Sequence, residues 1–366
     1  MFDNSHVYNT LHEIAQAVGV NTKKVSFLLN EGIIPSSTKG ENKHRRYYTN
    51  DVFIEFAARR LSLALNEEPS GMKVFSHKNI SKEVLNGLNR GGCEVVTIIN
   101  QKGGVGKTTT TVNLATALSK LGQRVLILDM DNQSQSTFYL MDEEYNNKSI
   151  LNIFKKYADE QSIEKKDVSP FIVSSKKDFF GNSVDLIPSE IRLARTLEFM
   201  RMLTSPEKIL DKIIATVRED YDFIIIDTPP SANLSLSMSV YAADKALLVT
   251  KADKFSVTPL KATIEEIDIL NRNVDKHIQI DGIIVNNFRQ GETLQQKFMD
   301  DIIEIHIERL DLPSSQLLVV KYAGSLMDSV QNDGIAAIEY KKYPKEGIRV
   351  SVPFYEYAIS LIERKK

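Results

Sequence analysis

The segment Val95-Val96-Thr97-Ile98-Ile99-Asn100-Gln101-Lys102-Gly103-Gly104-Val105-Gly106-Lys107-Thr108-Thr109-Thr110 decides how this 366-residue chain folds. An apolar, β-branched run passes into a glycine-rich turn and then into a helical stretch reaching about Leu121. Glycines let successive backbone N–H groups turn inward on an anion, and the helix start adds the positive end of its dipole. In such a cradle Lys107 reaches the β- and γ-phosphates of a nucleotide and the Thr108 hydroxyl ligates Mg²⁺. The segment departs from the usual G-x-x-x-x-G-K-[ST] spacing, because Gln101 stands at the first glycine and a second lysine, Lys102, follows it.

Working outward, the strand, turn and helix pattern repeats. Strands are expected at Val95 to Asn100, Arg124 to Asp129, Val184 to Pro188, Phe223 to Asp227, Ala246 to Thr250, Ile280 to Asn286 and Leu317 to Val320. Most are short apolar runs rich in valine and isoleucine, the reading of strands covered on both faces. Helices are expected at Gly106 to Leu121, Pro206 to Val217, Pro259 to Leu270 and Thr293 to Leu310. The alternation predicts an α/β fold, a mostly parallel sheet with helices on both faces, and the glycine loop after its first strand makes the expected fold that of a P-loop NTPase. In open sheets of this kind ligands bind at the carboxyl ends of the strands. The Phe223 strand ends there in Asp227, the candidate to hold the Mg²⁺ shell through water. The Arg124 strand delivers Asp129 and Asp131, whose i, i+2 spacing directs both to one side if the extended conformation continues. One of them then orients an attacking water while the other organises Lys107 or the metal.

Composition bounds the remaining choices. At roughly 150 residues per domain the length suggests two domains, and 42% hydrophobic with 26% charged residues excludes disorder as the main state. Forty-six basic against 48 acidic residues leave a net charge of -2, so any DNA contact must come from local patches. One cysteine, Cys93, excludes a disulfide framework or a cysteine-ligated cluster within one chain. With no apolar run of membrane or signal-peptide length, the expectation is a cytoplasmic protein.

The polar, Pro- and Gly-containing stretch from Asn66 to Ser76 marks a boundary. The expected organisation is a small domain over 1–66, a linker and connecting helix over 67–92, and the nucleotide-binding domain over 93–366. Before the boundary, Leu11 to Val18 reads as an amphipathic helix, Gly19 turns, and Asn21 or Thr22 caps a second helix to about Asn30. Ser36 to Tyr48 reads as a β-wing returning through Lys43-His44-Arg45-Arg46-Tyr47-Tyr48. The pattern resembles a MerR-like winged helix-turn-helix. By that resemblance Asn21, Thr22, Lys23, Lys24 and Ser26 face the major groove, while Lys43, Arg45 and Arg46 contact phosphates. A protein-interaction module built of the same elements is the alternative.

Lys102-Gly103-Gly104-Val105-Gly106-Lys107-Thr108-Thr109, Leu126-Ile127-Leu128-Asp129-Met130-Asp131 and Phe223-Ile224-Ile225-Ile226-Asp227-Thr228-Pro229-Pro230 together resemble a ParA-type ATPase of the deviant-Walker class. The resemblance covers about residues 93 to 366. It implies ATP/ADP and Mg²⁺ as cofactors, and a nucleotide site formed by Lys102, Gly103, Gly104, Val105, Gly106, Lys107, Thr108 and Thr109. It also implies an ATP-closed homodimer in which Lys102 reaches the partner's nucleotide, Asp131 positioning the hydrolytic water, and Asn286 contacting the adenine. Asn132 stands where proline is commoner in that family, and Ser134 where glycine is.

With the N-terminal domain added, the chain resembles the partition ATPases of plasmids or secondary chromosomes that repress their own operon. The implied partners are operator DNA, nonspecific DNA and a ParB-type centromere-binding protein, and the implied location is the nucleoid. Candidates for nonspecific DNA contact are Arg289, Lys297, Lys321, Lys341, Lys342, Lys345, Arg349, Arg364, Lys365 and Lys366. Two other readings stay open: a membrane-positioned relative resembling MinD, and a transcriptional regulator with a nucleotide-sensing domain. The first requires an amphipathic C-terminal helix at a lipid surface; Phe354, Tyr357, Ala358, Leu361 and Ile362 form such a stripe, but the interleaved tyrosines, Glu356 and Glu363 point to packing on the domain.

Overall fold

The structure, a computed structural model, describes residues 92–365 apart from 121, 142–147, 176–182, 274–276, 290, 314–315, 325, 327–335 and 338–343. It also describes residues 7–8, 12, 38–39 and 45–48. The early strands are β1 (Val7–Tyr8), β2 (Thr38–Lys39) and β3 (Arg45–Tyr48). β2 pairs antiparallel with β3, Thr38 opposite Arg46, and β1 lies on the other edge of β3. An antiparallel strand pair therefore stands where a β-wing was expected. Apart from His12, the two helices of the expected helix-turn-helix lie outside the described residues, as do the linker, the connecting helix, Asn21, Thr22, Lys23, Lys24, Ser26 and Lys43.

The larger unit runs β4 (Glu94–Ile99), α1 (Lys107–Lys120), β5 (Val125–Asp129), α2 (Gln135–Leu140), α3 (Ile150–Glu160), α4 (Lys165–Val168), β6 (Val173–Ser174), β7 (Asp185–Ile187), α5 (Leu193–Met200) and α6 (Ile209–Val217). It continues with β8 (Phe223–Asp227), α7 (Leu234–Ala242), β9 (Lys245–Lys251), α8 (Lys254–Asn273), β10 (Gln279–Phe288), α9 (Thr293–Glu304), β11 (Leu317–Lys321) and α10 (Pro344–Arg364). β4 to β11 form one sheet in the order β11-β10-β9-β4-β8-β5-β7-β6, parallel except for the edge pair β6 and β7. The expected α/β class holds, with every expected strand present. The short antiparallel edge strand β6 was not foreseen, and two residues carry too little pattern to signal one.

Side-chain alternation divides the core in two. Val96 and Ile98 of β4 join Ile127, Ile225 and Leu247 beneath α1 and α10. Val95 and Ile99 point the other way, to Leu126, Leu128, Ile224, Ile226 and Leu248, which α3, α5, α6, α7 and α8 cover. β4, β5 and β8 are buried along their whole length, which is why they read as unbroken apolar runs. On α10, Phe354, Tyr357, Ala358, Leu361 and Ile362 are all buried in the first of these clusters. The stripe therefore packs on the domain, and no helix among the described residues is long and apolar enough to cross a membrane.

Two helix expectations need correction. α8 begins at Lys254, not Pro259, because the Asp253 carboxylate accepts a hydrogen bond from Phe255 N–H at 2.8 Å and caps the helix earlier, leaving Pro259 inside it. The Thr293 helix stays α-helical only to Glu304 and widens into a π turn over Ile305–Arg309.

At the edge where the strands begin, Asp281 is fully buried and accepts hydrogen bonds from both Arg364 nitrogens at 2.6 and 2.9 Å, from Tyr357 Oη at 2.6 Å and from Gln316 Nε2 at 3.3 Å. Lys245 stands 3.7 Å away and pairs with Glu94 as well. Lys365 is also buried and donates to the Asp222 carbonyl at 2.9 Å. Arg364 and Lys365 are therefore structural cations of the underside, which corrects their candidacy for DNA contact. Breaking a buried charge cluster by removing one partner leaves the others uncompensated. Asp281→Ala is expected to lower stability by about 3 kcal/mol, at the lower end of that range because Arg364 keeps a third of its side chain in water. Urea unfolding checks this, and a loss below about 1 kcal/mol would mean that the cluster does not hold α10.

Candidate functional site

The cradle between β4 and α1 is built by backbone conformation and two asparagines. Gly104 and Gly106 have φ of +70° and +99°, conformations that glycine adopts without steric cost. At the loop's start Asn100 donates to the Val249 carbonyl at 2.7 Å, and its side-chain oxygen accepts from Lys102 N–H at 2.8 Å. At its end Asn286 Nδ2 donates to the Val105 carbonyl at 3.0 Å and lies 3.3 Å from Thr110 Oγ1. A Cβ on Gly106 would stand 2.5 Å from that nitrogen, so only glycine fits beside the brace. Lys107 is buried and folds over the loop to donate to the Lys102 carbonyl at 3.2 Å. Burial pushes its ammonium pKa down, while Asp227 and Asp131 oppose that shift.

Asp227 and Asp129 are neighbours in register at the ends of β8 and β5, and both are fully buried. Ser136 Oγ donates to Asp227 at 2.6 Å and Thr111 Oγ1 lies 3.3 Å from it. Burial raises the Asp227 carboxyl to about 6, against hydrogen bonds from Ser136 and Thr108. Asp129 is raised further above the carboxylate range, first by burial and then by Asp227, since two desolvated carboxylates side by side do not ionise together readily.

Asp129 accepts from Thr137 N–H at 3.0 Å, Thr137 Oγ1 at 2.8 Å and Asp131 N–H at 3.1 Å. These bonds turn the chain out of the extended conformation directly after β5, so Asp129 and Asp131 do not face the same way. Asp129 lies beneath and braces the 131–137 turn; Asp131 reaches the cleft. The expectation that both acids point together is corrected on that ground. Within this turn Ser134 has φ +55°, a left-handed conformation that disfavours side chains.

The resulting cleft encloses about 620 Å³. Gly103 to Thr109 form its floor. Asp131, Gln133, Gln135, Phe138 and Tyr139 stand on one side, and Lys251, Asn286, Asn287, Val320, Tyr322, Gly324 and Val350 on the other. The structure thus gathers Gly103, Gly104, Val105, Gly106, Lys107, Thr108, Thr109, Asp131 and Asn286 around one space, with Asp227 buried just below. Lys102 is not among the residues that line it. Its Nζ lies on Asp253 at 2.9 and 3.3 Å and on Ser256 Oγ at 2.8 Å, with the exposed Phe255 ring 6.0 Å away.

Among the surface candidates, Lys297 and Lys321 are exposed. Arg289 is committed locally: its guanidinium sits 3.8 Å from the Tyr322 ring centroid and 3.3 Å from Glu292. The side chains of Lys341, Lys342, Lys345, Arg349 and Lys366 lie outside the described residues.

Sequence reasoning missed Thr111, Ser136, Thr137 and Asp253. The last carried a usable signal, an Asp placed to cap a helix. The hydroxyl residues carried none, because serine and threonine on helices are common.

Residues 93–280, just over half of the chain, match the family described as AAA domain. The sporulation initiation inhibitor protein Soj of Bacillus subtilis is 28% identical over 193 residues, spanning 52% of this chain and 72% of Soj. The chromosome partitioning protein ParA of Myxococcus xanthus is 26% identical over 214 residues, 57% of this chain and 70% of ParA. Among solved structures, McdA of Cyanothece superposes with a TM-score of 0.57 both as the apo protein, at 24% identity over 71% of this chain and 99% of that one, and as an ATP complex, at 22% identity over 72% and 97%. These structures share the fold. With the glycine loop, the acid-tipped parallel strands and these matches in register, the chain belongs to the AAA domain family and is a P-loop ATPase of the ParA type.

Proposed function

We propose that the chain is a DNA-partition ATPase. It binds ATP and Mg²⁺ in the cleft and dimerises on ATP. The dimer holds nonspecific DNA at the nucleoid, hydrolyses ATP when a ParB-type partner engages it, and the N-terminal domain represses the chain's own operon. The observation that carries this reading is the division of the two lysines. Lys107 lies within its own cleft, whereas Lys102 stands outside that cleft beside an exposed phenylalanine, as a residue that serves a second copy would.

The donors present fit Mg²⁺, a hard cation that takes oxygen ligands. Thr108 supplies a hydroxyl, and Asp227 supplies a desolvated carboxylate that gains by facing a cation; it would hold the metal through water. Bound there, the metal would neutralise charge developing on the phosphates. The chain's own groups do the rest. Loop N–H groups and the α1 dipole bind the phosphate oxygens, Lys107 stabilises the transferred phosphoryl group, and Asp131 orients the attacking water.

Lys102 supplies the last cation only across a dimer, which links nucleotide state to assembly. Phe138 and Phe255, 66% and 73% exposed beside the cleft and beside Lys102, give that second copy an apolar surface to cover.

The deciding experiment is fluorescence-anisotropy binding to a random-sequence duplex with ATP and Mg²⁺ against ADP and Mg²⁺, at one fixed salt concentration because phosphate contacts are steeply salt-dependent. Binding that requires ATP is expected. Binding indifferent to nucleotide would overturn the partition reading in favour of a regulator that reads DNA through its N-terminal domain.

Two variant series extend this. Lys107→Ala is expected to lose ATP binding, whereas Lys102→Ala keeps it and loses most hydrolysis and dimer formation; loss of nucleotide binding in both removes the role of Lys102 in trans. Asp253→Asn preserves a cap for α8 and frees Lys102 from a partly exposed pair worth about 0.2–1 kcal/mol, so ATP-dependent dimerisation in sedimentation should strengthen up to about fivefold. Replacing Arg45 and Arg46 with alanine should weaken operator binding and leave ATP turnover unchanged, and an unaltered operator affinity would exclude the strand pair from DNA contact.

A further inference from the structure

One helix of the sheet unit turns an apolar face to solvent. Helical bonding extends past both ends of α5, with Thr196 N–H donating to the Arg192 carbonyl and Met202 N–H to that of Phe199. Leu193, Leu197 and Met200 are buried and hold the helix on the core. At 3.6 residues per turn, Ile191, Arg195, Glu198, Phe199 and Met202 all fall within one arc of about 100° on the opposite side. Ile191, Phe199 and Met202 are 74%, 63% and 84% exposed. Several large apolar side chains gathered on one exposed face mark a contact surface.

This face is removed from the cleft. None of its residues lines that space. At its trailing end Arg201 borders a shallow pocket shared with Asn233 and Leu234 at the start of α7 and with Glu266 of α8. Glu266 lies twelve residues along α8 from Lys254, about 18 Å of helix, and Lys254 adjoins the Asp253 that holds Lys102. The stripe therefore ends on the flank of the domain, away from the rim where Lys102 and Phe255 stand.

Its charges say what covers it. Arg195 has no ion-pair or hydrogen-bond partner among the described residues, and Glu198 has only the half-exposed Arg201, 3.7 Å away on the same helix. A second α5 laid antiparallel against the first brings Arg195 of each copy opposite Glu198 of the other, and Ile191 opposite Met202. One register satisfies both pairings, because 195 and 198 share their midpoint with 191 and 202. Each contact then occurs twice about a two-fold axis, as a self-complementary interface requires.

We propose that the outward face of α5 is a docking surface for a second copy of this chain, paired antiparallel with Arg195 on Glu198 and Ile191 on Met202. One short helix from each side makes a small contact, below the size of standard interfaces, so the pairing is weak and reversible. It needs no nucleotide. One consequence rests on the ATP-closed dimer proposed above: each subunit then carries two different two-fold faces, which cannot both be filled within one pair. ATP would therefore drive assemblies larger than a dimer.

Sedimentation velocity of the full chain over rising protein concentration tests this, with ADP and with ATP, each with Mg²⁺. A monomer–dimer equilibrium is expected in ADP and larger species in ATP. Arg195→Glu, and separately Glu198→Arg, should weaken association in ADP about fourfold or more, since each reversal turns two attractive exposed pairs into repulsive ones. Mixed in equal amounts, the two variants should associate to within about twofold of the unsubstituted chain, because each then meets opposite charge at both positions. ADP affinity should be the same in all, as these charges lie outside the cleft.

An unsubstituted chain that stays monomeric in ADP overturns the α5 surface, as does association that neither reversal weakens or that mixing does not restore. Should a charge variant fail to fold, Met202→Ser trims the same face, and undiminished association in ADP overturns the proposal. Charge-sensitive pairing in ADP that grows no larger in ATP refutes the ATP-closed dimer instead and upholds the α5 contact.

Discussion

The hydrogen bond from Asn286 to the Val105 carbonyl is the constraint on which the rest of the site depends. The glycine loop has little reason of its own to hold a curled shape, since conformational freedom is what glycine contributes. Asn286 comes from β10, two places from β4 in the sheet, and reaches over β9 to the loop. Asn100 adds a tie to β9 at the loop's other end. The cradle therefore keeps its form only while β4, β9 and β10 keep their spacing, and that spacing comes from apolar residues buried on both faces of the sheet.

A second layer of control lies under the acidic wall. Asp129 and Asp227 are too well buried to be simple metal ligands waiting in solvent, and hydroxyls from α1 and α2 hold them in place. Ser136 on Asp227 and Thr137 on Asp129 tie the start of α2 to the ends of two central strands. The turn bearing Asp131 and Gln133 lies between those bonds and the end of β5, with Asp131 N–H donating to Asp129 as well.

The fold was legible because parallel strands buried on both faces write themselves as unbroken apolar runs, and because a phosphate loop needs glycine where few substitutes exist. Lys107, Thr108 and the acid at the end of β8 followed from the same spacing. Other features turned on partners remote in sequence. Nothing local distinguishes Asp129 from Asp131 until Thr137 is seen to claim the former. Pro259 looked like a helix start because proline favours the first turn, and the Asp253 cap overrode that preference. Arg364 and Lys365 looked like a basic tail, yet Asp281 and Asp222 lie more than eighty residues away in sequence. Tyr322 carried no motif; only the stacked guanidinium and the glycine beside it show that its position is fixed.

The charged underside has a geometric consequence. Cys93 enters β4 at the strand-starting edge, and Lys365 closes α10 against the same edge by bonding the Asp222 carbonyl. Both ends of the sheet unit thus emerge on the side away from the cleft. Neither end of the described sheet unit therefore stands between the cleft and solvent.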